Sequence, residues 1–599
     1  MRIRLAAGTL VLLMVSASVA LAQDPGTHAT EAAPRGTPMP TAEERTSGTN
    51  PAAQTPVLKA AVRLVLVDVV VTDSKGQPVT GMQKKDFAVQ EEGKPQTVLL
   101  FEEHKGPSPT PAELPPLPPD VYANYQTVKT LDSVNVLLLD ALDTQLKDQV
   151  FVREQMVKFL RTLRPGMQLA IFTLGSQLRM VKAFSADSSG ALEALAAKGG
   201  WADPQSSRLL PTANEKDMDR QMIDLMVMNR ASAKGIEALR EFQGEHEASL
   251  TGMRSQIVLQ ALMQLARYVS PIPGRKNIIW VAGSFPVTFL PKQNSLPVAE
   301  VAGIQRTTNL FSANQVAVYP ISAEGLTTEA LYDTGLVSPP PRGAEGGRRF
   351  AEQAAMQTLA QETGGQVFSN TNGLGDAVNR SVDDGSHYYT LAYTPSDKQM
   401  DGKYRKIQVN TERKDYALAY RRGYYATDSE KDQLSAQEPA GDLLLPLTRP
   451  GMPDFAQIRF TVQVAPATPQ PAPGTPFAGA NAELKGPFTR YHAEFAISTE
   501  DVALEVTPSG TRQGDIQVEL VAYDRDGKPL NLMTKKGQIS LPPDLYESLQ
   551  KTGLPVRGDI DVPNGEVYLR VGVRDLVSGN VGTLGVPLNS PAPAAQTAK

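Results

Sequence analysis

The sequence predicts an α/β domain with a parallel-type sheet, inserted in a small β domain and followed by a C-terminal β-sandwich. Three observations carry this prediction. Between residues 129 and 385, short apolar runs alternate with long stretches of helical spacing. The flanking segments 57–104 and 386–426 carry a period of two, yet neither is long enough to bury a core alone. From 443 to 590 the period stays at two with little helix.

The elements follow in chain order. Arg2 and Arg4 precede an apolar run from Leu5 to Ala22 that ends Ala20, Leu21, Ala22, the pattern of a signal peptide cleaved after Ala22. Residues 23–56 hold few large apolar side chains and are expected to be a disordered tether. From Val62, Leu64, Leu66, Asp68, Val70 and Thr72 share one parity and Val65, Val67, Val69 and Val71 the other, which predicts a strand buried on much of both faces. A turn is expected at Asp73–Gly76 and a hairpin around Glu92, Gly93 and Lys94. Seven of the fifteen residues from Gly106 to Asp120 are proline, so 105–128 is expected to be a linker.

Val134–Leu139, Leu169–Leu174, Leu178–Phe184, Asn277–Ala282 and Val316–Ile321 are the expected strands of the α/β domain. Asp148–Leu163, Asn214–Phe242, Ser255–Val269, Val298–Ala313 and Ala351–Glu362 are its expected helices, with Val367–Ser369 as a last strand. The apolar stripe Met218, Met222, Ile223, Met226 and Met228 is expected to be a packing face, and 334–349 an exposed loop. Because domain termini tend to lie close together, 57–104 and 386–426 are expected to pair as the β domain around the insertion. Residues 427–442 read as a linker and 591–599 as a disordered tail. Asp68–Val79 and Glu519–Leu530 share a strand, turn, Gly, Pro order, which common hairpin chemistry explains as well as duplication.

Composition narrows the functional classes. The chain has 599 residues and no cysteine, so disulfides, thiolate metal sites and a lipid-anchored lipoprotein are excluded. A net charge of −5 with no long basic run makes nucleic acid an unexpected partner. Beyond the leader no run approaches ~18 apolar residues, so no membrane span is expected after cleavage. The destination is an exported one: periplasm, cell surface or medium.

The segments VRLVLVDVVVTDSKGQPVTGMQKKDFAV, VNVLLLDALDT, IPGRKNIIWVAGSFP, LAQETGGQVF and YTLAYTP, ending in YRRGYY, stand in this order over residues 57–426. Together they resemble the family related to the von Willebrand factor A (VWA) domain that is abundant in acidobacterial genomes. The resemblance implies a Rossmann-like VWA domain, export and no assigned reaction. In the wider VWA fold it implies a divalent metal above the carboxyl ends of the strands, held by a DxSxS loop, a second-loop threonine and a third-loop aspartate. Here the first loop reads Asp140, Ala141, Leu142, Asp143, Thr144, with Leu142 where the first serine belongs. The third loop offers Gly283 and Ser284 in place of an aspartate, and Thr251 stands as the second-loop candidate. Asp140, Thr144 and Ser284 are therefore the candidate ligands of a Mg²⁺ ion at a degenerate metal-ion-dependent adhesion site, with Asp143 as an additional carboxylate. The competing and preferred reading is that Asp140 and Thr144 cap the following helix and satisfy loop amides.

No motif for catalysis is present. There is no GxSxG elbow, no HExxH, and the cluster Gly343, Gly346, Gly347 lacks the Lys and Ser/Thr of a phosphate loop. Glu102–Glu103 and Asp383–Asp384 read as solvated surface pairs, and the tripeptide Arg557–Gly558–Asp559 as a chance match. The expected function is a non-enzymatic adhesion or assembly module with an extracytoplasmic protein or polymer ligand. The alternative is a secreted hydrolase whose carboxylates meet only in three dimensions, for which two facing carboxylates with shifted pKa values would be the sign.

Overall fold

A computed structural model of the chain describes residues 64–106, 117–118, 120–125, 133–163, 167–185, 190, 192–193, 213–285, 298–323, 344–369, 373–427 and 444–588, except 473, 482, 485, 486 and 566. The expected leader, tether and tail lie outside them, as does all of the 427–442 linker but Thr427. The described residues belong to one compact unit.

Its first strands are β1 (Val65–Thr72), β2 (Phe87–Glu91), β3 (Lys94–Gln96), β4 (Val98–Lys105) and β5 (Val121–Ala123). The α/β region follows: β6 (Ser133–Asp140), α1 (Leu146–Arg161), β7 (Leu169–Leu174), β8 (Leu178–Ser185), α2 (Ala213–Met228), α3 (Ala233–Val269), β9 (Arg275–Ala282), α4 (Val298–Ala313), β10 (Val316–Ser322), α5 (Ala344–Thr363) and α6 (Leu374–Ser386). Then come β11 (His387–Tyr393), β12 (Tyr404–Thr411), β13 (Ala417–Ala419) and β14 (Gly423–Tyr425). The last region holds β15 (Phe460–Pro466), β16 (Phe488–Ile497), β17 (Glu505–Val506), β18 (Arg512–Tyr523), β19 (Pro529–Leu541), α7 (Pro543–Thr552), β20 (Leu554–Pro563), β21 (Tyr568–Asp575) and β22 (Val581–Pro587).

The segments before and after the α/β region share two sheets. β1 pairs antiparallel with β11 and β13, and β11 with β4. β12 pairs antiparallel with β2 and β14, and β2 with β3. One core takes Val67, Val69 and Val89 from the first segment and Tyr389, Leu391, Ile407 and Val409 from the second. Each segment thus supplies the apolar face that the other lacks. Glu92 and Gly93, with φ of 49° and 75°, make the tight turn between β2 and β3 in the left-handed conformation that such hairpins need.

The α/β sheet runs β10-β9-β6-β7-β8, and the first four strands are parallel. β8 is antiparallel to β7, so the sheet is mixed rather than wholly parallel. The three residues between β7 and β8 allow a hairpin and are far too few for a parallel crossover. Alternate residues of β6 point to opposite layers: Val136 and Leu138 pack with Val258 and Leu262 of α3, Phe311 of α4 and Leu359 of α5. Leu137 and Leu139 pack with Val152 and Met156 of α1 and Val378 of α6. Both faces are covered, which is why these strands read as unbroken apolar runs.

Several expectations need correction. The 105–128 linker contains β5, which pairs antiparallel with β15 and is fixed by Asn124, whose side chain donates to the Phe455 and Ile458 carbonyls at 2.7 Å. Beyond the last proline, nothing prevents the backbone from joining a ladder. The methionine stripe is a packing face only in part: Ile223 and Met226 are half-buried, Met226 near Gly235 of α3, while Met218, Met222 and Met228 are exposed with Leu225, Val227 and Phe242, because α3 carries buried residues only from Ser255 onward. Of the loop expected over 334–349, residues 334–343 lie outside the described residues and 344–349 form the start of α5. Val367–Ser369 makes only an isolated bridge, Phe368 to Ile321, and the element that completes the region is α6, whose Leu374, Ala377, Val378, Ser381 and Val382 repeat at helical spacing.

The last region consists of two antiparallel sheets, β20-β16-β15-β5 and β17-β18-β21-β22 with β19 beside β18. Val462, Phe495 and Ile560 of the first meet Val518, Leu520 and Val571 of the second in one core. The two segments of similar sequence make the same turn. Asp73 Oδ1 accepts from the amides of Lys75 and Gln77, and Asp524 Oδ1 from those of Asp526 and Lys528.

Candidate functional site

Parallel strands bring the loops at their carboxyl ends together, and the loop after β6 meets the loop after β9 there. Three hydrogen bonds cross between the two loops, and a fourth lies within the first. Thr144 Oγ1 donates to the Asp140 carbonyl and accepts from the Gly283 amide at 2.9 Å. The Ser284 amide donates to the Asp143 carbonyl at 2.8 Å, and its Oγ to the same oxygen at 3.3 Å. Gly283 has to be small: a Cβ there would lie 3.0 Å from the Asp143 carbonyl oxygen and 3.1 Å from Thr144 Cα. Gln149, in the first turns of α1, donates to the Ala141 and Thr144 carbonyls and closes the loop from below.

Asp140 is fully buried, and both its oxygens accept protein N–H groups: Oδ1 from the Asp143 amide at 2.9 Å, Oδ2 from Trp280 Nε1 at 3.0 Å. Burial, then the neighbouring Asp143 carboxylate, pushes its pKa well above the usual carboxylate range. Asp143 is also buried, and burial pushes it up to about 6 against the opposing charge of Arg254. Arg254 Nε stands 3.6 Å from Asp143 Oδ1, and Asp143 Oδ2 has no hydrogen-bond partner. Trp280 packs edge-on against Phe285, with ring centroids 4.8 Å apart.

The structure therefore brings Asp140, Asp143, Thr144 and Ser284 together, but turns them toward each other and toward backbone amides. Leu142 is fully buried and packs into the α3 side of the core. Thr251 is not on a loop. It lies exposed within α3, where its hydroxyl donates to the Glu247 carbonyl. The residue of that turn that reaches the crevice is Arg254, which the sequence reading missed; its only signal was its place beside the buried positions Ser255, Val258 and Leu259. A hard cation needs several free oxygen atoms in near-octahedral array. Here both Asp140 oxygens and the Thr144 hydroxyl already accept protein N–H groups, which leaves Ser284 Oγ and an Asp143 carboxylate that a guanidinium already faces, too few free oxygens to fit Mg²⁺. Among the described residues, no group of three or more His, Cys, Asp or Glu side chains is placed to hold a metal.

The other sequence candidates lie elsewhere. Asp384 is buried rather than solvated, and burial together with Asp383 pushes its pKa up to about 6. Glu103 accepts from the Gly81 amide and from Tyr389. Arg557, Gly558 and Asp559 lie on β20 instead of a loop tip, with Asp559 bonded to His492 Nδ1 at 2.7 Å across the ladder. A concavity of about 710 Å³ lined by residues of β2 and β3 does not touch the crevice.

No protein-family model and no curated protein matches the sequence. Among solved structures, the chain is similar to an aerotolerance-related membrane protein from Bacteroides fragilis at 10% identity and a TM-score of 0.23, over 42% of this chain and 98% of that one. It is similar to BatB from Bacteroides thetaiotaomicron at 10% identity and a TM-score of 0.21, over 42% and 97%. A von Willebrand factor type A protein from Catenulispora acidiphila matches at 10% identity and a TM-score of 0.20, over 58% and 76%. Scores this low carry no functional inference. No described helix is long and apolar enough to cross a membrane.

Proposed function

We propose that the chain is an exported VWA-like protein that binds a protein or polymer ligand outside the cytoplasm without a metal ion, its last region acting as a β-sandwich. The observation that carries this reading is Arg254, whose guanidinium faces Asp143 in a crevice where Asp140 and Thr144 already accept protein N–H groups. A partner carboxylate can pair with a guanidinium as it would with a metal, with directional hydrogen bonds in addition. Titration calorimetry of the purified chain with Mg²⁺ and with Mn²⁺ is expected to give no binding heat. A saturable one-to-one isotherm would refute the metal-independent reading. A partner retained from the native envelope is expected to be lost with Arg254→Glu.

One observation favours a hydrolase as the second reading: Asp140 and Asp143 are neighbouring carboxylates with raised pKa values. Against it, Asp140 is fully buried and committed to Trp280 and a backbone amide. Turnover of chromogenic ester, peptide or glycoside substrates that Asp143→Asn abolishes would establish the hydrolase.

A further inference from the structure

A second site lies at the other end of the α/β sheet, where the amino ends of β9 and β10 meet β1. A cavity of about 20 Å³ is lined there by Asp68, Arg275, Ser312, Gln315, Thr363 and Arg421, among others. Most of these polar groups have partners. Arg275 donates to the Gly364 carbonyl at 2.7 Å, to Tyr319 Oη at 3.2 Å and to Asn277 Oδ1 at 3.2 Å, with Nη1 3.8 Å from Asp68. Asp68 accepts from Thr390 Oγ1 at 2.9 Å and Gln315 Nε2 at 3.1 Å. Thr363 Oγ1 donates to the Leu359 carbonyl and accepts from the Val318 amide. Arg421 spends one Nη on the Leu66 carbonyl at 2.6 Å.

Two donors remain: Ser312 Oγ and Arg421 Nε are buried and have no hydrogen-bond partner. Leaving a buried donor unmet costs about 1–3 kcal/mol, more for a charged group. Among the residues that line the cavity, positive charge is also in excess, Arg275 and Arg421 against Asp68. Arg275, Arg421 and the largely buried Lys276 surround Asp68, and Asp384 is the other carboxylate that acts on Arg275. An acceptor with negative charge answers both deficits. The volume suits a single monatomic or water-like body rather than sulfate, phosphate or a carboxylate-bearing molecule.

We propose that this cavity binds one chloride ion, which accepts hydrogen bonds from Ser312 Oγ and Arg421 Nε and balances the guanidinia at the seam between the β domain and the α/β region. The site is independent of the crevice and of its proposed function. The test uses the full chain at constant ionic strength, comparing melting temperature in sodium chloride with that in sodium gluconate. Chloride is expected to raise it by about 2–4 °C, with saturation. Crystals grown in bromide are expected to show an anomalous peak within the cavity. Ser312→Ala, which removes one hydroxyl and keeps the charges, is expected to raise the half-saturating chloride concentration about five- to tenfold. Arg421→Gln is expected to abolish the effect, and if it does not fold, Ser312→Ala and the bromide peak still decide. Equal melting temperatures in the two salts with no bromide peak would mean that a water fills the cavity, and would overturn the proposal.

Discussion

At the carboxyl ends of β6 and β9 two buried carboxylates, Asp140 and Asp143, stand side by side, and Asp143 faces one arginine, Arg254. At the amino ends of β9 and β10 two arginines, Arg275 and Arg421, face one carboxylate, Asp68. In each cluster one member of the like-charged pair has its hydrogen bonds made: Asp140 with Trp280 and the Asp143 amide, Arg275 with Gly364, Tyr319 and Asn277. In each the other member keeps one buried atom without a partner, Asp143 Oδ2 and Arg421 Nε. The contrast teaches that unmet atoms, not the number of charges, mark where a ligand can act, and the unmet donors are Arg254 Nε in the crevice and Arg421 Nε with Ser312 Oγ at the seam. The completed partner is scaffold.

Substitutions can break this comparison. Arg275→Met should be the most damaging, because it removes three hydrogen bonds and leaves the buried Gly364 carbonyl, Tyr319 Oη and Asn277 Oδ1 without the donor that served them. A loss of about 3–5 kcal/mol in urea unfolding is expected, and a loss under 1 kcal/mol would show that Arg275 is not scaffold. Asp384, beside the same cluster, sharpens the picture through pH. Its folded pKa, about 6, stands above the unfolded 3.8, so the native state binds the proton more tightly. Stability from this group is therefore present below pH 4 and is lost as pH rises through 6, by at most about 3 kcal/mol. Asp384→Asn should flatten the fall in melting temperature between pH 4 and 7 relative to the parent chain. Arg254→Met should cost least, about 1–3 kcal/mol, because its Nε lies 3.6 Å from Asp143 rather than in a close bond. If it proves as costly as Arg275→Met, the crevice arginine is scaffold too.

The legible parts of the fold were those that burial patterns write directly. β6 and β9 are covered on both sides and read as unbroken apolar runs, and β1 needed a partner because its valines occupy both parities. α6 was missed although its apolar spacing is regular, since Gly375, Asp383, Asp384 and Gly385 lower its intrinsic helix propensity and tertiary burial of Val378 and Val382 decides the outcome. The stripe of α2 misled in the opposite direction. Helical spacing of Met218 and Met222 says that they share a face, but not that anything covers it. In the crevice the loop residues were visible and their commitments were not. That Thr144 would bond Gly283, and that Trp280 would claim Asp140, depend on strand register across 139 and 140 positions of sequence. Arg254 carried no motif at all.

Strand β5 turns topology into a question of cloning. A fragment ending near Thr427 would carry Val121–Ala123 without its partner strand and leave three side-chain hydrogen bonds of Asn124 unmade. A fragment beginning at Leu444 would lose an edge strand of its own sheet. The boundary that looks like a convenient cut in the sequence is stitched across by a piece of chain some three hundred residues earlier, so a gene fusion or duplication would have to carry both halves to inherit either.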